Sequence, residues 1–153
     1  MKFFLLAILA LLTVLMPVQG AQRPRPTMVM VIDDDPADLA LADHYLRKFE
    51  CVTITCGGAT EALALLERDW FDVVFVDLWL QEMTGLEFVR QARPRNVRAD
   101  FYLMSGYWQG KAMAQAMELG APPIIKGGLR SSKERLHTFY EMLNLILVRK
   151  ETH

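Results

Sequence analysis

The stretch that decides the fold is MVMVIDDDP, residues 28–36. Its five apolar residues, Met28 to Ile32, are partly β-branched and predict a short buried strand. The acidic triplet ends this strand, and Asp35 followed by Pro36 predicts the N-cap and the first residue of a helix. An apolar stripe at helical spacing comes next, formed by Leu39, Ala42, Tyr45, Leu46 and Phe49. The stretch therefore predicts a strand–helix unit with acidic residues at the carboxyl end of the strand.

Four further strand–helix units follow the first one. The other predicted strands run from Val52 to Cys56, Asp72 to Asp77, Phe101 to Met104 and Ile124 to Ile125. The other predicted helices run from Thr60 to Arg68, Leu86 to Arg93, about Gln109 to Leu119, and Ser131 to about Val148. Ser131 and Glu134 form a capping box at the start of the last one. Five apolar strands alternating with five helices predict an α/β fold, with a parallel sheet covered on both faces and right-handed crossovers.

Length, charge and cysteine content narrow the possibilities. A chain of 153 residues predicts one domain, and a net charge of −1 gives no overall field that would attract nucleic acid. Cys51 and Cys56 bracket the run 51–56 and are five residues apart; if the whole run is a strand, their side chains should lie on opposite faces of the sheet. We therefore expect two free thiols and no nucleic-acid partner.

The N-terminus predicts a leader of unsettled role. Residues 1–22 contain Lys2, an apolar run from Phe3 to Met16 and a small residue, Ala21, at a plausible cleavage site. The run is short for a membrane span, and Arg23 and Arg25 favour keeping the downstream part of the chain in the cytoplasm. An export signal, a membrane anchor and a gene start placed too early all remain open. We divide the rest into a linker (23–27), a single domain (28–148) and a tail (149–153).

Polar side chains follow four of the five predicted strands. Asp33 and Asp34 follow the first, Asp77 ends the third, Ser105 follows the fourth and Lys126 follows the fifth. Ligands of open parallel sheets bind at the carboxyl ends of the strands, so these groups should share one edge. Three carboxylates there would repel one another without a cation, and their hard oxygen atoms suit Mg²⁺. The set suits phosphoryl transfer, with Asp77 as nucleophile and with Lys126 and Ser105 contacting phosphoryl oxygens.

Four segments of the chain resemble the signature segments of bacterial response-regulator receivers: VIDDDP (31–36), VDLWLQEMTG (76–85), MSG (104–106) and IIK (124–126). The resemblance extends from Met28 to Val148. It implies a flavodoxin-like, doubly wound sheet of five strands in the order 2-1-3-4-5, with five helices.

The resemblance also implies a role for each site residue. Asp33 and Asp34 would hold Mg²⁺, with Asp34 as the direct ligand. Asp77 would accept the phosphoryl group and also bind the metal, to which Trp79 would offer its backbone carbonyl. Ser105 and Lys126 would take the switch and phosphate-binding roles.

Three positions depart from the family's pattern. Gly127 and Gly128 follow Lys126, where the family usually has proline. Gln81 stands where a loop proline is usual, and Pro123 stands where the fifth strand usually carries an aromatic switch residue. These changes leave the chemistry at Asp77 intact and put the coupling to an output surface in doubt.

The leading hypothesis is a stand-alone, chemotaxis-type receiver of a two-component system or phosphorelay. A sensor histidine kinase or a histidine phosphotransfer protein would phosphorylate it, and it would signal by binding a downstream protein. It would catalyse only its own phosphorylation and dephosphorylation. It would work in the cytoplasm, where ATP-dependent kinases are found, with membrane contact only through residues 1–22 if they are retained.

Two other functions are weighed against this one. The main alternative is a pseudo-receiver, a protein-interaction module that acts without phosphorylation. A small phosphatase with an aspartyl nucleophile would need a second acid two residues after Asp77 as its general acid, and Trp79 stands there.

Overall fold

A computed structural model describes residues 25–96, 98–126 and 141–148. Five strands form one sheet: β1 (Thr27–Ile32), β2 (Cys51–Cys56), β3 (Val73–Asp77), β4 (Asp100–Ser105) and β5 (Pro123–Ile125). All neighbouring strands pair in parallel, in the order β2-β1-β3-β4-β5. The predicted α/β fold and strand order are confirmed, and each predicted strand end lies within one residue of the observed one.

The helices alternate with the strands along the chain. They are α1 (Pro36–Leu46), α2 (Ala59–Arg68), α3 (Gly85–Ala92) and α4 (Gly110–Glu118), and residues 141–148 are also helical, here called α5. The predicted capping box at Ser131 lies outside the described residues, as do the predicted leader (1–22) and tail (149–153). None of the helices in the described ranges is long and apolar enough to cross a membrane.

Each face of the sheet carries its own hydrophobic core. Met30 and Ile32 of β1 belong to a first core, which is shared with α2, α3 and α4. Val29 and Val31 belong to a second core, which is shared with α1 and α5. This division follows from the alternation of side chains along a strand, and it explains why β1 is apolar throughout. The sheet is therefore held rigidly from both sides.

The two cysteines lie in different cores, as their spacing predicts. Cys56 is buried in the first core and Cys51 packs against the second, and the two cysteines are not joined in a disulfide bond. Burial raises the pKa of the Cys56 thiol to about 12. Cys56 is therefore a small apolar side chain at physiological pH rather than a thiolate.

Local signals fix where the helices begin and end. The Asp35 side chain accepts a hydrogen bond of 2.8 Å from the Ala37 N–H, with Pro36 as the first helical residue, as predicted. Gly120 follows α4 with φ of +64°, the left-handed conformation that ends many helices. The sequence reasoning missed the capping box of Thr84 and Glu87, which begins α3.

Gly85 lets α3 approach the end of β3 closely. A Cβ atom at this position would collide with the backbone oxygen of Asp77 and would come within 2.7 Å of the Leu103 side chain. The Gly85 N–H also donates to the Leu78 oxygen at 2.9 Å. The loop after β3 is therefore held tightly around the end of the strand.

Arg25 binds Asp72 at the end of the sheet where the strands begin, opposite to the carboxyl ends of the strands. Arg25 donates two hydrogen bonds to the Asp72 carboxylate, at 2.7 and 2.8 Å, and its guanidinium stacks over Trp70 at 4.2 Å. The Met28 N–H donates to the same carboxylate. Arg25 and Thr27, in the segment predicted as a linker (23–27), thus contact the folded domain, and β1 starts at Thr27.

Candidate functional site

The two central strands bring two buried carboxylates together. β1 and β3 are neighbours, with Ile32 in register with Val76, so the next residues along each strand, Asp33 and Asp77, lie side by side. Asp33 is 2% exposed and Asp77 is 6% exposed. Burying two adjacent carboxylates is costly unless cations compensate their charge.

Lys126 supplies one such cation. Its Nζ lies 2.6 Å from Asp33 Oδ2 and 2.6 Å from Asp77 Oδ1. The residue directly follows β5, and its own N–H is fixed by a hydrogen bond of 2.8 Å to the Ser105 oxygen. The structure therefore joins three of the predicted site residues through one ammonium group.

A third carboxylate on this ammonium was missed by the sequence reasoning. Asp38, in the first turn of α1, lies 2.9 Å from Lys126 Nζ through its Oδ2 atom. In the sequence it resembles any acidic residue at a helix N-terminus, and only the fold brings it to a lysine 88 residues away. Three carboxylates around one ammonium leave the cluster with an excess of negative charge.

The ionisation of the cluster follows from burial and these contacts. Burial raises the pKa of Asp33 above its ordinary value, although the hydrogen bond from Lys126 opposes that change. Burial would lower the pKa of Lys126, but its hydrogen bonds to Asp33, Asp77 and Asp38 together outweigh burial and raise it. The lysine therefore stays positively charged throughout the physiological pH range.

Both carboxylate oxygens of Asp77 have a hydrogen-bond donor. Oδ1 contacts Lys126, and Oδ2 accepts a bond of 2.7 Å from the Trp79 backbone N–H. The loop that carries Trp79 closes through a single bridge between Trp79 and Thr84. Trp79 itself is 63% exposed. The Asp77 carboxylate is therefore held in one orientation beside a large exposed residue.

Asp34 borders a small cleft beside this cluster. The cleft has a volume of about 110 Å³ and is lined by Asp34, Gly57, Gly58, Ala59, Leu80, Gln81 and Glu82. Asp34 is half-buried here, next to Asp33 in the chain. A half-buried acidic residue that lines such a cleft is suited to bind a ligand that enters from solvent.

Glu82 also lines the cleft, and its role was not predicted from the sequence. Its Oε2 atom accepts hydrogen bonds from the Thr60 N–H, at 2.9 Å, and from the Thr60 hydroxyl. These two bonds lower the pKa of Glu82. The available signal was Gly58, since a glycine N-cap offers no side chain and leaves the start of α2 to be capped from elsewhere.

Ser105 is at the predicted edge, but its hydroxyl faces its own loop. Its Oγ atom donates to the Tyr107 oxygen at 2.7 Å and accepts from the Tyr107 N–H at 3.2 Å. The next residue, Trp108, donates from its indole Nε1 to the Ile124 oxygen of β5 at 3.0 Å. The structure does not join the Ser105 hydroxyl to Asp77.

The donor atoms fit a hard divalent cation. Within the described ranges, no three His, Cys, Asp or Glu side chains are arranged to hold a metal as they stand, and the Lys126 ammonium lies between Asp33 and Asp77 instead. The excess negative charge and the all-oxygen ligands nevertheless match what Mg²⁺ requires. Asp33, Asp34, Asp77 and the Trp79 carbonyl could hold it.

Comparison with known proteins assigns this arrangement to a family. The family model described as "Response regulator receiver domain" matches residues 29–136. The two-component response regulator ARR11 of Arabidopsis thaliana is 38% identical over 63 residues, which are 40% of this chain and 12% of that protein. The first curated relatives are much longer proteins, of which the chain spans between 10% and 32%.

Solved structures share the fold at low identity. A CheY-like receiver domain protein from Methanospirillum hungatei JF-1 has a TM-score of 0.70 at 20% identity, over 83% of this chain and 98% of that one. A response regulator from Burkholderia pseudomallei, determined with a phosphorylated aspartic acid, a calcium ion and citrate, has a TM-score of 0.60 at 23% identity, over 78% of this chain and 72% of that one.

The family match covers most of the chain and includes β1, β3, β4 and β5 with the acidic and basic residues at their ends. Phosphorylation and the use of Mg²⁺ are general features of this family. The chain belongs to the response regulator receiver domain family of two-component systems.

Proposed function

We propose that Asp77 accepts a phosphoryl group in a Mg²⁺-dependent reaction and that the phosphorylated chain signals by contact with another protein. The observation that carries this proposal is the setting of the Asp77 carboxylate. It is buried at the end of β3, oriented by the Trp79 N–H and paired with the Lys126 ammonium at 2.6 Å. A fixed carboxylate beside a fixed cation suits a reaction whose catalysis is mainly positioning and charge neutralisation.

In the proposed step, a carboxylate oxygen of Asp77 attacks the phosphorus atom of the donor. A new O–P bond forms, and the bond between phosphorus and the donor's leaving group breaks, with its electron pair going to that group. Lys126 neutralises charge on the phosphoryl oxygens. When bound, Mg²⁺ would add positive charge at the same oxygens, and Asp33, Asp34, Asp77 and the Trp79 carbonyl are the groups that would hold it.

Ser105 must change partners to take part. A hydroxyl group has a single proton, and in this structure the proton of Ser105 is used in the bond to the Tyr107 oxygen. Donation to a phosphoryl oxygen would therefore break that bond and alter the loop between β4 and α4. This change would connect the modified Asp77 to the protein surface.

The phosphorylated aspartic acid and the calcium ion in the Burkholderia pseudomallei response regulator support this proposal by analogy of fold. The natural donor would be a sensor histidine kinase or a histidine phosphotransfer protein, and the output a downstream protein target. We propose a cytoplasmic site of action, where such kinases have ATP. The chain would act on no substrate other than its own phosphoryl group.

Incubation with acetyl phosphate tests the proposal. We expect the intact mass to rise by one phosphoryl group with Mg²⁺ present and to stay unchanged when the metal is chelated. A folded protein that takes up no phosphate would favour the pseudo-receiver instead. One observation favours the pseudo-receiver: β5 begins with Pro123, which has no aromatic side chain that could rotate as a switch.

Replacing Asp34 with Asn is expected to weaken metal binding and phosphorylation together, because an amide is a much poorer Mg²⁺ ligand than a carboxylate. Titration with Mg²⁺ should change the tryptophan fluorescence, since Trp79 adjoins the site, and D34N should need about tenfold more metal for the same change. The matched control is D69N, at the exposed C-cap of α2. Full labelling of D34N at ordinary Mg²⁺ concentrations would refute the metal assignment.

A further inference from the structure

Three carboxylates contact the Lys126 ammonium, one for each of its N–H donors. An ammonium group offers three N–H donors. Its three partners come from three different elements: Asp33 follows β1, Asp77 ends β3 and Asp38 lies in α1. The lysine side chain is 18% exposed, so these contacts rather than water hold it in place.

The three carboxylates differ in what the proposed reaction asks of them. Asp77 gives one of its oxygens to the phosphoryl group, and Asp33 is a candidate metal ligand. Both would share their oxygens with new partners during the reaction. Asp38 belongs to neither set, so its bond to Lys126 can persist throughout.

We propose that Asp38 is a positioning residue that keeps the Lys126 ammonium beside Asp77 while Asp33 and Asp77 engage the metal and the phosphoryl group. This inference rests on the proposed function. Without Asp38, a cation at Asp33 and Asp77 would repel the ammonium, and no described carboxylate outside that pair would hold it near the phosphorus atom.

Asp38 lies on a firmly held part of α1. Asp38 is one turn from the Asp35 cap, whose side chain and carbonyl bond to the Ala37 and Leu39 N–H groups. The same helix packs into the second core through Ala42 and Leu46, which are buried. A carboxylate on such a frame can hold a long lysine side chain in one position.

A plainer role must be distinguished from this one. Acidic residues in the first turn of a helix stabilise it through the helix dipole, whatever else they contact. Such a role would change stability but would not depend on Lys126. Asp43 provides a matched control, since it is an acid on the same helix that pairs with Arg47 four residues later.

The experiment uses the full chain and compares D38A with D43A, alone and combined with K126M. At saturating Mg²⁺, we expect D38A to slow phosphorylation by acetyl phosphate about tenfold, as for loss of a charged hydrogen bond, and D43A to have no effect. The Mg²⁺ concentration at half-maximal fluorescence change should stay within about twofold, because Asp38 is not a proposed ligand. In the K126M background, D38A should cause no further slowing.

A second measurement needs no metal and no phosphate donor. Urea unfolding of the metal-free protein gives the unfolding equilibrium constant of D38A, K126M and the double variant. The effect of the double variant should differ from the product of the two single effects by at least about threefold. If K126M does not fold, the comparison moves to D38E and D38N. D38E should recover part of the rate because it restores a carboxylate, whereas D38N should remain slow.

The outcomes separate the two proposals. If the wild-type chain is labelled at Asp77 and D38A is labelled at the same rate, the positioning role is overturned and the proposed function stands. The positioning role is equally overturned if D38A slows labelling by the same factor with and without Lys126. If the wild-type chain takes up no phosphate at Asp77, the proposed function fails and the role of Asp38 fails with it.

Discussion

Replacing Asp77 with Asn is expected to lower the rate of phosphate incorporation from acetyl phosphate at least about a thousandfold, which in practice abolishes it. The amide of Asn is not a nucleophile toward phosphorus, and no other described carboxylate has the same pair of contacts, with the Trp79 N–H and Lys126. The wild-type label should be acid-stable and base-labile, as an acyl phosphate is. Intact mass spectrometry before and after base treatment measures both properties.

The same substitution should leave the protein folded. Three carboxylates surround the Lys126 ammonium, so removing one charge relieves repulsion and leaves the lysine paired with Asp33 and Asp38. We therefore expect the thermal unfolding midpoint of D77N to equal or exceed that of the wild type. A loss of labelling in D77N then reports chemistry and not unfolding.

Asp72 provides the control for position. It lies directly before β3, at the opposite edge of the sheet from Asp77, and binds Arg25. D72N should be labelled as fully as the wild type. Phosphate that persists in D77N on a histidine or serine would overturn the receiver mechanism.

The fold could be predicted because its signals are local. The apolar run of β1, the Asp35–Pro36 helix start and the glycine that ends α4 each act within a few residues. The strand order depends on contacts between distant parts of the chain. It was predicted from the resemblance to the family and not from the strand pattern itself. The capping box of Thr84 was missed because it lies in a segment interpreted only as a loop.

The site was predictable only in part, for a physical reason. Asp33, Asp77 and Lys126 meet because the strands are parallel and all end at one edge, which the strand pattern already implies. Asp38 and Glu82 act through side chains that reach partners 88 and 22 residues away. The direction of the Ser105 hydroxyl is set by a two-residue turn and could not be predicted from its place at the end of β4.

The phosphorylated chain is expected to lose its phosphoryl group slowly. Hydrolysis of an aspartyl phosphate needs a water molecule in line with the phosphorus atom. Trp79 and Tyr107, two residues after Asp77 and Ser105, lie at the carboxyl edge where this water would enter. We expect the two rings to slow hydrolysis by one to two orders of magnitude, or about 1.4 to 2.8 kcal/mol of barrier.

The structure makes this prediction simple to test, because neither ring supports the core. Trp79 is 63% exposed and Tyr107 is 73% exposed, so W79N and Y107E should change stability little. Trp108, the next residue after Tyr107, is half-buried, and its indole N–H donates to the Ile124 oxygen, so its ring is directed toward β5. The measurement is the first-order loss of phosphate from the purified phosphoprotein of each variant.

Trp70 is the matched control, since it is an exposed tryptophan, at 56%, beside Arg25 at the opposite edge of the sheet. W70N should lose its phosphoryl group at the wild-type rate, whereas W79N and Y107E should each lose it faster. If both rings instead point away from the acceptor and belong to a partner-binding surface, all three variants will match the wild type. Equal rates in W79N, Y107E and the wild type would remove the shielding role and leave these exposed rings as candidates for the output contact.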